Sequence, residues 1–230
     1  MALTQSKFRT TAQLNTAFSR KIIKLLRDGI DENGRASLVV SGGRTPAGLF
    51  NTLSQSNLEW DKVDISLADE RWVENTDDAS NEKMLRSKLL INNAANANFV
   101  SLKTQHSDAA DAVLTCTANL QKMRTPFDVL ILGMGEDGHT ASLFPCSAQI
   151  AQGLDLESGD TFIAIQPTSA PNQRMSLTLP ALLNSNQIFL HLTGESKKDV
   201  LNTVLSDDDA LVMPIRAVIN NADVELLWAP

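Results

Sequence analysis

Three features are scarce or missing in this chain: long apolar runs, cysteines and an excess of basic charge. Its 230 residues contain no run of 18 apolar residues, and the first eight residues lack the apolar core of a signal peptide. Lys and Arg number 20 against 27 Asp and Glu, which gives a net charge of −7. Such a charge disfavours contact with nucleic acid or an anionic membrane. We therefore expect a cytoplasmic protein that binds neither.

Cysteine usage and phosphate motifs narrow the possibilities further. The two cysteines, Cys116 and Cys146, do not have the spacing of a metal-binding motif. Cys116 falls in a predicted helix, so two reduced thiols are expected. The Walker pattern GxxxxGK[ST] is absent from the sequence, so any phosphate must be bound in another way.

Length and composition fit one α/β domain covering residues 1–230, with 43% hydrophobic and 20% charged residues. Apolar runs typical of strands alternate with segments of helical periodicity. The predicted strands are residues 37–40, 63–67, 127–131, 161–165, 187–192 and 223–228. The first predicted helix runs from near Leu14 and stops at Gly29, and a second begins after Thr45, which is its expected N-cap. Further helices are predicted over residues 80–90, 107–123 and 195–205. This alternation predicts a Rossmann-like, largely parallel sheet with helices on both faces.

The most informative segment is the glycine-rich turn of residues 133–145, which directly follows the predicted strand 127–131. Glycines at the end of a strand let the backbone approach a ligand closely. The turn presents Asp137 and His139 two residues apart, and histidine is the side chain best suited to proton transfer near neutral pH. These features together predict an active site at the carboxyl-terminal edge of a parallel sheet.

The same segment offers an alternative interpretation as a dinucleotide site. Gly133, Gly135 and Gly138 match the pattern GxGxxG, and Asp155 lies roughly where the acid that binds the ribose would stand. That fingerprint also needs a helix after the third glycine. Pro145 would break such a helix, and the region around Asp155 has the composition of a loop. We therefore do not expect a nicotinamide or flavin cofactor.

Three other segments are candidates for anion binding. One is a glycine loop between a strand and a helix, where free N–H groups can hold an anion; it consists of Ser41, Gly42, Gly43, Arg44 and Thr45. A second is Asp69-Glu70-Arg71, which follows the strand 63–67; an arginine at this position can bind an oxyanion with both arms of its guanidinium. The alternative for this segment is a cluster of surface salt bridges. Arg174 and Lys197 could add positive charge; for Lys197 the alternative is a solvated helix start. His191, between two leucines of a strand, is expected to be structural.

These segments resemble, in the same order, those of the 6-phosphogluconolactonase family, which shares its fold with the glucosamine-6-phosphate isomerases and deaminases. The resemblance covers nearly the whole chain. It rests on residues 41–46, 69–73, 133–145, 174–178 and 194–197. In the deaminases the Asp-Gly-His block continues into Asn-Glu-Pro, whereas here Ser142-Leu143-Phe144-Pro145 follows. A departure from the lactonase pattern is Arg44, where the family usually carries Ser.

The resemblance implies hydrolysis of 6-phospho-D-glucono-1,5-lactone to 6-phosphogluconate in the oxidative pentose phosphate pathway. His139 would be the general base, Asp137 would orient its ring, and either Arg71 or N–H groups of the glycine turn would stabilise the oxyanion. The residues implied in substrate and phosphate binding are the Ser41–Thr45 loop, Asp69, Gly135, Gly138, Arg174 and Lys197. No metal or cofactor is expected, because the lactone ester already hydrolyses slowly in water.

Two alternatives remain open at this point. One is a sugar-phosphate isomerase or deaminase on the same fold. The other is a non-catalytic sensor of sugar phosphates, which would have no need of His139 beside Asp137. In either case the expected partner is a small phosphosugar, and the protein would be a monomer or a homodimer.

Overall fold

The structure, a computed structural model, describes residues 2–230. Its strands are β1 Leu3–Lys7, β2 Ala36–Val40, β3 Val63–Leu67, β4 Asp69–Arg71, β5 Asn98–Val100, β6 Val129–Leu132, β7 Phe162–Ile165, β8 Arg174–Leu177, β9 Ile188–Thr193 and β10 Val224–Ala229. Its α-helices are α1 Thr11–Asn33, α2 Ala47–Ser54, α3 Asn81–Lys88, α4 Ala109–Leu120, α5 Ile150–Leu154, α6 Leu179–Leu183, α7 Glu195–Val204 and α8 Ile215–Asn221. Among residues 2–230, none of these helices combines the length and apolar character needed to cross a membrane.

Seven strands form a parallel central sheet in the order β1-β10-β9-β6-β2-β3-β5. Strands β2, β3 and β6 are buried along their whole length, as is usual where helices cover both faces of a sheet. The buried apolar side chains form one continuous cluster around this sheet. The predicted α/β fold with a largely parallel sheet is confirmed.

A second, antiparallel sheet has the strand order β4-β8-β7. The sequence predicts β7 as a strand, but not that it lies outside the main sheet. Strands β4 and β8 have only three and four residues, and β4 consists of charged residues, so neither shows the periodicity of a strand. In this sheet Arg71 on β4 lies opposite Arg174 on β8, and Asp69 lies opposite Ser176.

Two predicted helix boundaries are wrong. Helix α1 does not stop at Gly29 but runs to Asn33, and Gly34, with φ of 76°, forms the left-handed C-cap. Gly29 lies inside the helix where it packs closely, since a Cβ there would lie 3.0 Å from Cγ of Asp128. Thr45 does not cap α2: the cap position is occupied by Pro46, and no side chain bonds to the helix start.

Candidate active site

A cavity of about 700 Å³ opens at the carboxyl-terminal edge of the parallel sheet. The neighbouring strands β2, β6 and β9 each end at this edge, and the segments after them contribute to the cavity wall. The sequence-predicted residues that line it are Ser41, Gly42, Gly43, Arg44, Thr45, Asp69, Arg71, Gly135, Asp137, His139, Arg174 and Lys197. The structure thus brings together segments that are far apart in the sequence.

His139 and Asp137 form a hydrogen-bonded pair in the turn after β6. Nδ1 of His139 lies 2.5 Å from Oδ1 of Asp137, and the ring stacks on Phe144 with centroids 4.0 Å apart. Burial by itself raises the pKa of the Asp137 carboxyl, but the hydrogen bond and charge of His139 outweigh it and hold that pKa below its ordinary value. The carboxylate therefore favours the proton on Nδ1, which leaves Nε2 free to act as a base.

Two glycines of this turn serve different purposes. A Cβ on Gly135 would lie 2.1 Å from Nδ1 of His139 and 2.6 Å from Oδ1 of Asp137, so only glycine leaves room for the pair. Gly138 is buried outside the cavity lining, with φ of 74°, and a Cβ there would meet Cβ of Met213 at 2.7 Å. Its carbonyl accepts the N–H of Ile215 at 2.9 Å, so it anchors the turn to α8.

The turn also lacks the continuation that a dinucleotide site needs. The next helix after Gly138 is α5, which begins only at Ile150. The intervening residues form turns and an isolated bridge between Thr140 and Leu143. The third glycine therefore does not open a helix whose N-terminus could receive a pyrophosphate.

The Ser41–Thr45 loop has the geometry of an anion site. Within residues 2–230, no hydrogen bond uses the backbone N–H groups of residues 42–45 as donors. The Ser41 hydroxyl is buried and has no partner among those residues. Helix α2 begins just beyond the loop, so its dipole adds positive potential. Arg44 contributes an exposed cationic side chain at the same place.

Arg71 and Arg174 form a second positive element of the cavity. They are directly opposite each other in the β4–β8 ladder. Nη1 of Arg71 donates to the carbonyl of Ala79 at 2.6 Å, and Nη2 of Arg174 donates to the carbonyl of Pro171 at 3.1 Å. Within residues 2–230, both buried Nε atoms have no partner. Burial, followed by the charge of Arg71, lowers the pKa of Arg174. An anion between the two guanidinium groups would relieve their repulsion.

Asp69 and Lys197 line the cavity but are already engaged. Oδ2 of Asp69 accepts the hydroxyl of Ser142 at 2.5 Å, which ties β4 to the glycine turn. Nζ of Lys197 lies 2.7 Å from Oε1 of Glu136, so part of its charge is offset.

Sequence reasoning missed Asn81 and the individual roles of Ser142 and Phe144. Asn81 is 2% exposed, lines the cavity, and donates through Nδ2 to the carbonyl of Asp69 at 2.9 Å. The only local signal was its position directly after Ser80, which caps α3. The Phe144 ring stacks on the ring of His139 and also faces the guanidinium of Arg174, whose Cζ lies 5.7 Å from the Phe144 ring centroid.

His191 also reaches the inner end of the cavity. It is 3% exposed, and its ring meets Phe18 edge-on with centroids 5.4 Å apart. Burial lowers the pKa of His191 to about 4, so the ring is neutral near neutral pH. No cluster of three or more His, Cys, Asp or Glu side chains within residues 2–230 is arranged to hold a metal ion.

Comparison with known proteins gives consistent matches over nearly the whole chain. Residues 9–228 match the family model described as glucosamine-6-phosphate isomerases/6-phosphogluconolactonase. A Pseudomonas putida protein named 6-phosphogluconolactonase is 39% identical over 94% of this chain and 89% of its own length. A protein of the same name from Rhizobium meliloti is 35% identical over 97% of each chain.

Solved structures agree with these matches. The crystal structure of a 6-phosphogluconolactonase from Shewanella baltica OS155 superposes with a TM-score of 0.97 at 44% identity, covering 100% of this chain and 98% of that one. A monomeric glucosamine-6-phosphate deaminase superposes with a TM-score of 0.81 over 98% of this chain and 97% of its own, but at 17% identity it shows only the shared fold. The chain therefore belongs to the glucosamine-6-phosphate isomerase/6-phosphogluconolactonase family, and within it to the enzymes that are named lactonases.

Proposed function

We propose that this enzyme hydrolyses 6-phospho-D-glucono-1,5-lactone to 6-phosphogluconate, with His139 as the general base. The observation that carries the proposal is that one cavity holds both an imidazole–carboxylate pair and an anion-binding wall. Hydrolysis of a lactone needs a base for water and positive charge near the carbonyl. A 6-phosphate needs unpaired N–H donors and cations.

In the first step, Nε2 of His139 takes a proton from water while the water oxygen bonds to the lactone carbonyl carbon. Asp137 stabilises the imidazolium that forms, in the way the orienting acid of a catalytic triad does. The carbonyl oxygen becomes an oxyanion, and the guanidinium of Arg71 supplies charge-assisted donors to it.

In the second step, the tetrahedral intermediate collapses. The bond between the carbonyl carbon and the ring oxygen breaks, and the ring oxygen takes the proton from the imidazolium of His139. The ring opens to an acid, which releases one proton to solvent near neutral pH. The base is then regenerated without a further reactant.

The phosphate is bound at the other end of the substrate. Its oxygens accept from the N–H groups and hydroxyls of the Ser41–Thr45 loop, and Arg174 and Lys197 add positive charge. The two arginines lie side by side, so Arg174 also raises the positive potential felt by the oxyanion.

The direct test is acid release at constant pH from the phosphorylated lactone, after subtraction of the spontaneous rate. We expect strong acceleration, and slower turnover of plain glucono-1,5-lactone. Absence of acceleration would overturn the proposal. Release of ammonia from glucosamine 6-phosphate would assign the site to the deaminase branch instead.

A further inference from the structure

The carboxylate of Glu70 lies beside the cavity without lining it. Glu70 is fully buried on β4, next to Arg71. Its Oε1 accepts the N–H groups of Arg71 at 2.7 Å and of Asn81 at 2.8 Å. Its Oε2 accepts the N–H of Glu82 at 2.8 Å and the hydroxyl of Ser80 at 3.1 Å. One carboxylate therefore joins the strand that carries Arg71 to the first turn of α3.

Asn81, the first residue of α3, extends this connection to the Ser41–Thr45 loop. Its Nδ2 donates to the carbonyl of Asp69 on β4. On its other side it packs against Gly42 so closely that a Cβ on Gly42 would lie 2.0 Å from Oδ1 of Asn81. The segment just before α3 also holds the guanidinium of Arg71, through the carbonyl of Ala79 at 2.6 Å.

We propose that Glu70 and Asn81 are positioning residues that set the distance between the Ser41–Thr45 loop and Arg71, and thereby make hydrolysis selective for a phosphorylated lactone. The inference rests on the hydrolysis proposed above. A substrate held by its phosphate on the loop presents its carbonyl to Arg71 and His139 only at the correct distance. Misplacement by about 1 Å can cost about 10²-fold in rate. A lactone without a phosphate is not held by the loop and depends less on that distance.

The chemistry of Glu70 explains why a carboxylate is needed at this position. Two backbone N–H groups and one hydroxyl come from the start of α3, and one further N–H comes from Arg71. A carboxylate offers acceptors on both oxygens and suits the positive end of a helix dipole. In Glu70→Gln one oxygen is replaced by an amide nitrogen, which faces donors and leaves them unpaired in a buried position.

The first experiment compares Glu70→Gln and Asn81→Ala with the control Glu82→Gln. Glu82 is also a buried glutamate and lies next to Asn81 on α3, but its carboxylate accepts from Arg86 at 2.8 Å and from Ser101 at 2.5 Å, away from the cavity. We measure kcat and KM for the phosphorylated lactone and for plain glucono-1,5-lactone, together with Tm. In the two test variants, kcat/KM for the phosphorylated lactone divided by kcat/KM for plain glucono-1,5-lactone should fall by at least about tenfold. The fall should come chiefly from a lower kcat for the phosphorylated lactone. The control should keep the wild-type ratio even if its Tm falls.

The second experiment uses the close contact between Gly42 and Asn81. Gly42→Ala should lower kcat for the phosphorylated lactone by about 10²-fold, because the new Cβ pushes the loop away from Asn81. The contact is absent in the Asn81→Ala variant. Adding Gly42→Ala to that variant should therefore lower its kcat for the phosphorylated lactone by less than about threefold.

The outcomes separate the two proposals. If the wild type hydrolyses neither lactone, the hydrolysis itself is overturned. If the wild type prefers the phosphorylated lactone and both test variants keep that preference, or if Gly42→Ala is equally harmful in both backgrounds, the positioning role is overturned while the hydrolysis stands.

Discussion

At the scale of single residues, the proposed chemistry depends most on His139. Its side chain is 28% exposed, with Nδ1 occupied by Asp137, so Nε2 is the nitrogen available to water. In His139→Gln we expect kcat to fall by roughly 10²–10⁴-fold, the usual contribution of a general base, with little change in Tm. Steady-state acid release and thermal unfolding check both parts. A folded variant with near-wild-type kcat would remove His139 from the mechanism.

Gly135 tests whether the pairing of His139 with Asp137 matters. In Gly135→Ala the new Cβ would lie 2.1 Å from Nδ1 of His139, so the ring must move away from the carboxylate. We expect a loss of kcat of about 10²-fold or more. Gly133→Ala is the steric comparison, since a Cβ there meets no atom within 4 Å. Equal activity in the two variants would show that the pair is not needed.

Arg174 and Lys197 should contribute unequally to phosphate binding. Lys197 is already paired with Glu136, whereas Nε of Arg174 has no partner within residues 2–230. A charge-assisted contact is worth about 1.5–3 kcal/mol, so Arg174→Ala should raise KM for the phosphorylated lactone by at least about tenfold. Lys197→Ala should raise it less. Initial rates with both lactones, and competitive inhibition by 6-phosphogluconate, measure the effect; a larger effect of Lys197→Ala would reverse the assignment.

At the scale of elements, the end of α1 gives a test that does not involve the site. Gly34 has φ of 76°, which glycine adopts without strain, and a Cβ there would touch nothing within 4 Å. Gly34→Ala should therefore lower the free energy of unfolding by about 1 kcal/mol through backbone strain alone. Gly34→Asn should cost less, because Asn tolerates this conformation. Urea unfolding measures both, and equal costs would contradict a purely conformational cause.

Which elements could be predicted from the sequence depended on whether their signal was local. Strands β2 and β6 are mostly apolar runs, β3 alternates apolar with polar residues, and the glycine turn after β6 is one contiguous segment, so all of these were predicted. Strands β4 and β8 are short, and β4 is charged, so their pairing depends on tertiary contacts. For the same reason, the sequence could not predict that Arg71 pairs with Arg174 across the β4–β8 ladder or that Asn81 contacts Gly42.

At the scale of the whole molecule, topology brings the site together. Carboxyl-terminal ends of neighbouring parallel strands meet at one edge, so loops after β2, β6 and β9 converge although about 150 residues separate the first from the last. The chain carries −7 overall, yet Arg44, Arg71, Arg174 and Lys197 line one cavity. The carboxylates of Asp69, Glu136 and Asp137 also line it, so the cavity has an excess of one positive charge, four against three, whereas the rest of the chain is negative. The anionic substrate proposed above would therefore meet a more favourable potential in the cavity than over the remaining surface.

The free energy of unfolding should depend on pH because His191 is buried near the centre of this sheet. Strand β9 lies between β10 and β6, and burial lowers the pKa of His191 to about 4. The unfolded chain takes up this proton near its ordinary pKa of about 6.5, whereas the folded protein resists it until near the lower value. Below about pH 6.5 the unfolded state therefore binds more protons, and stability falls as the pH drops towards 4.

Urea unfolding of the wild type and of His191→Gln at about pH 7 and about pH 5 measures this contribution. Between these two pH values the wild type should lose about 2 kcal/mol more than the variant, because only the wild type carries the neutral buried imidazole. The variant provides its own control, since every other titrating group is shared. Equal losses in the two proteins would mean that His191 takes up its proton in the folded state as readily as in the unfolded one.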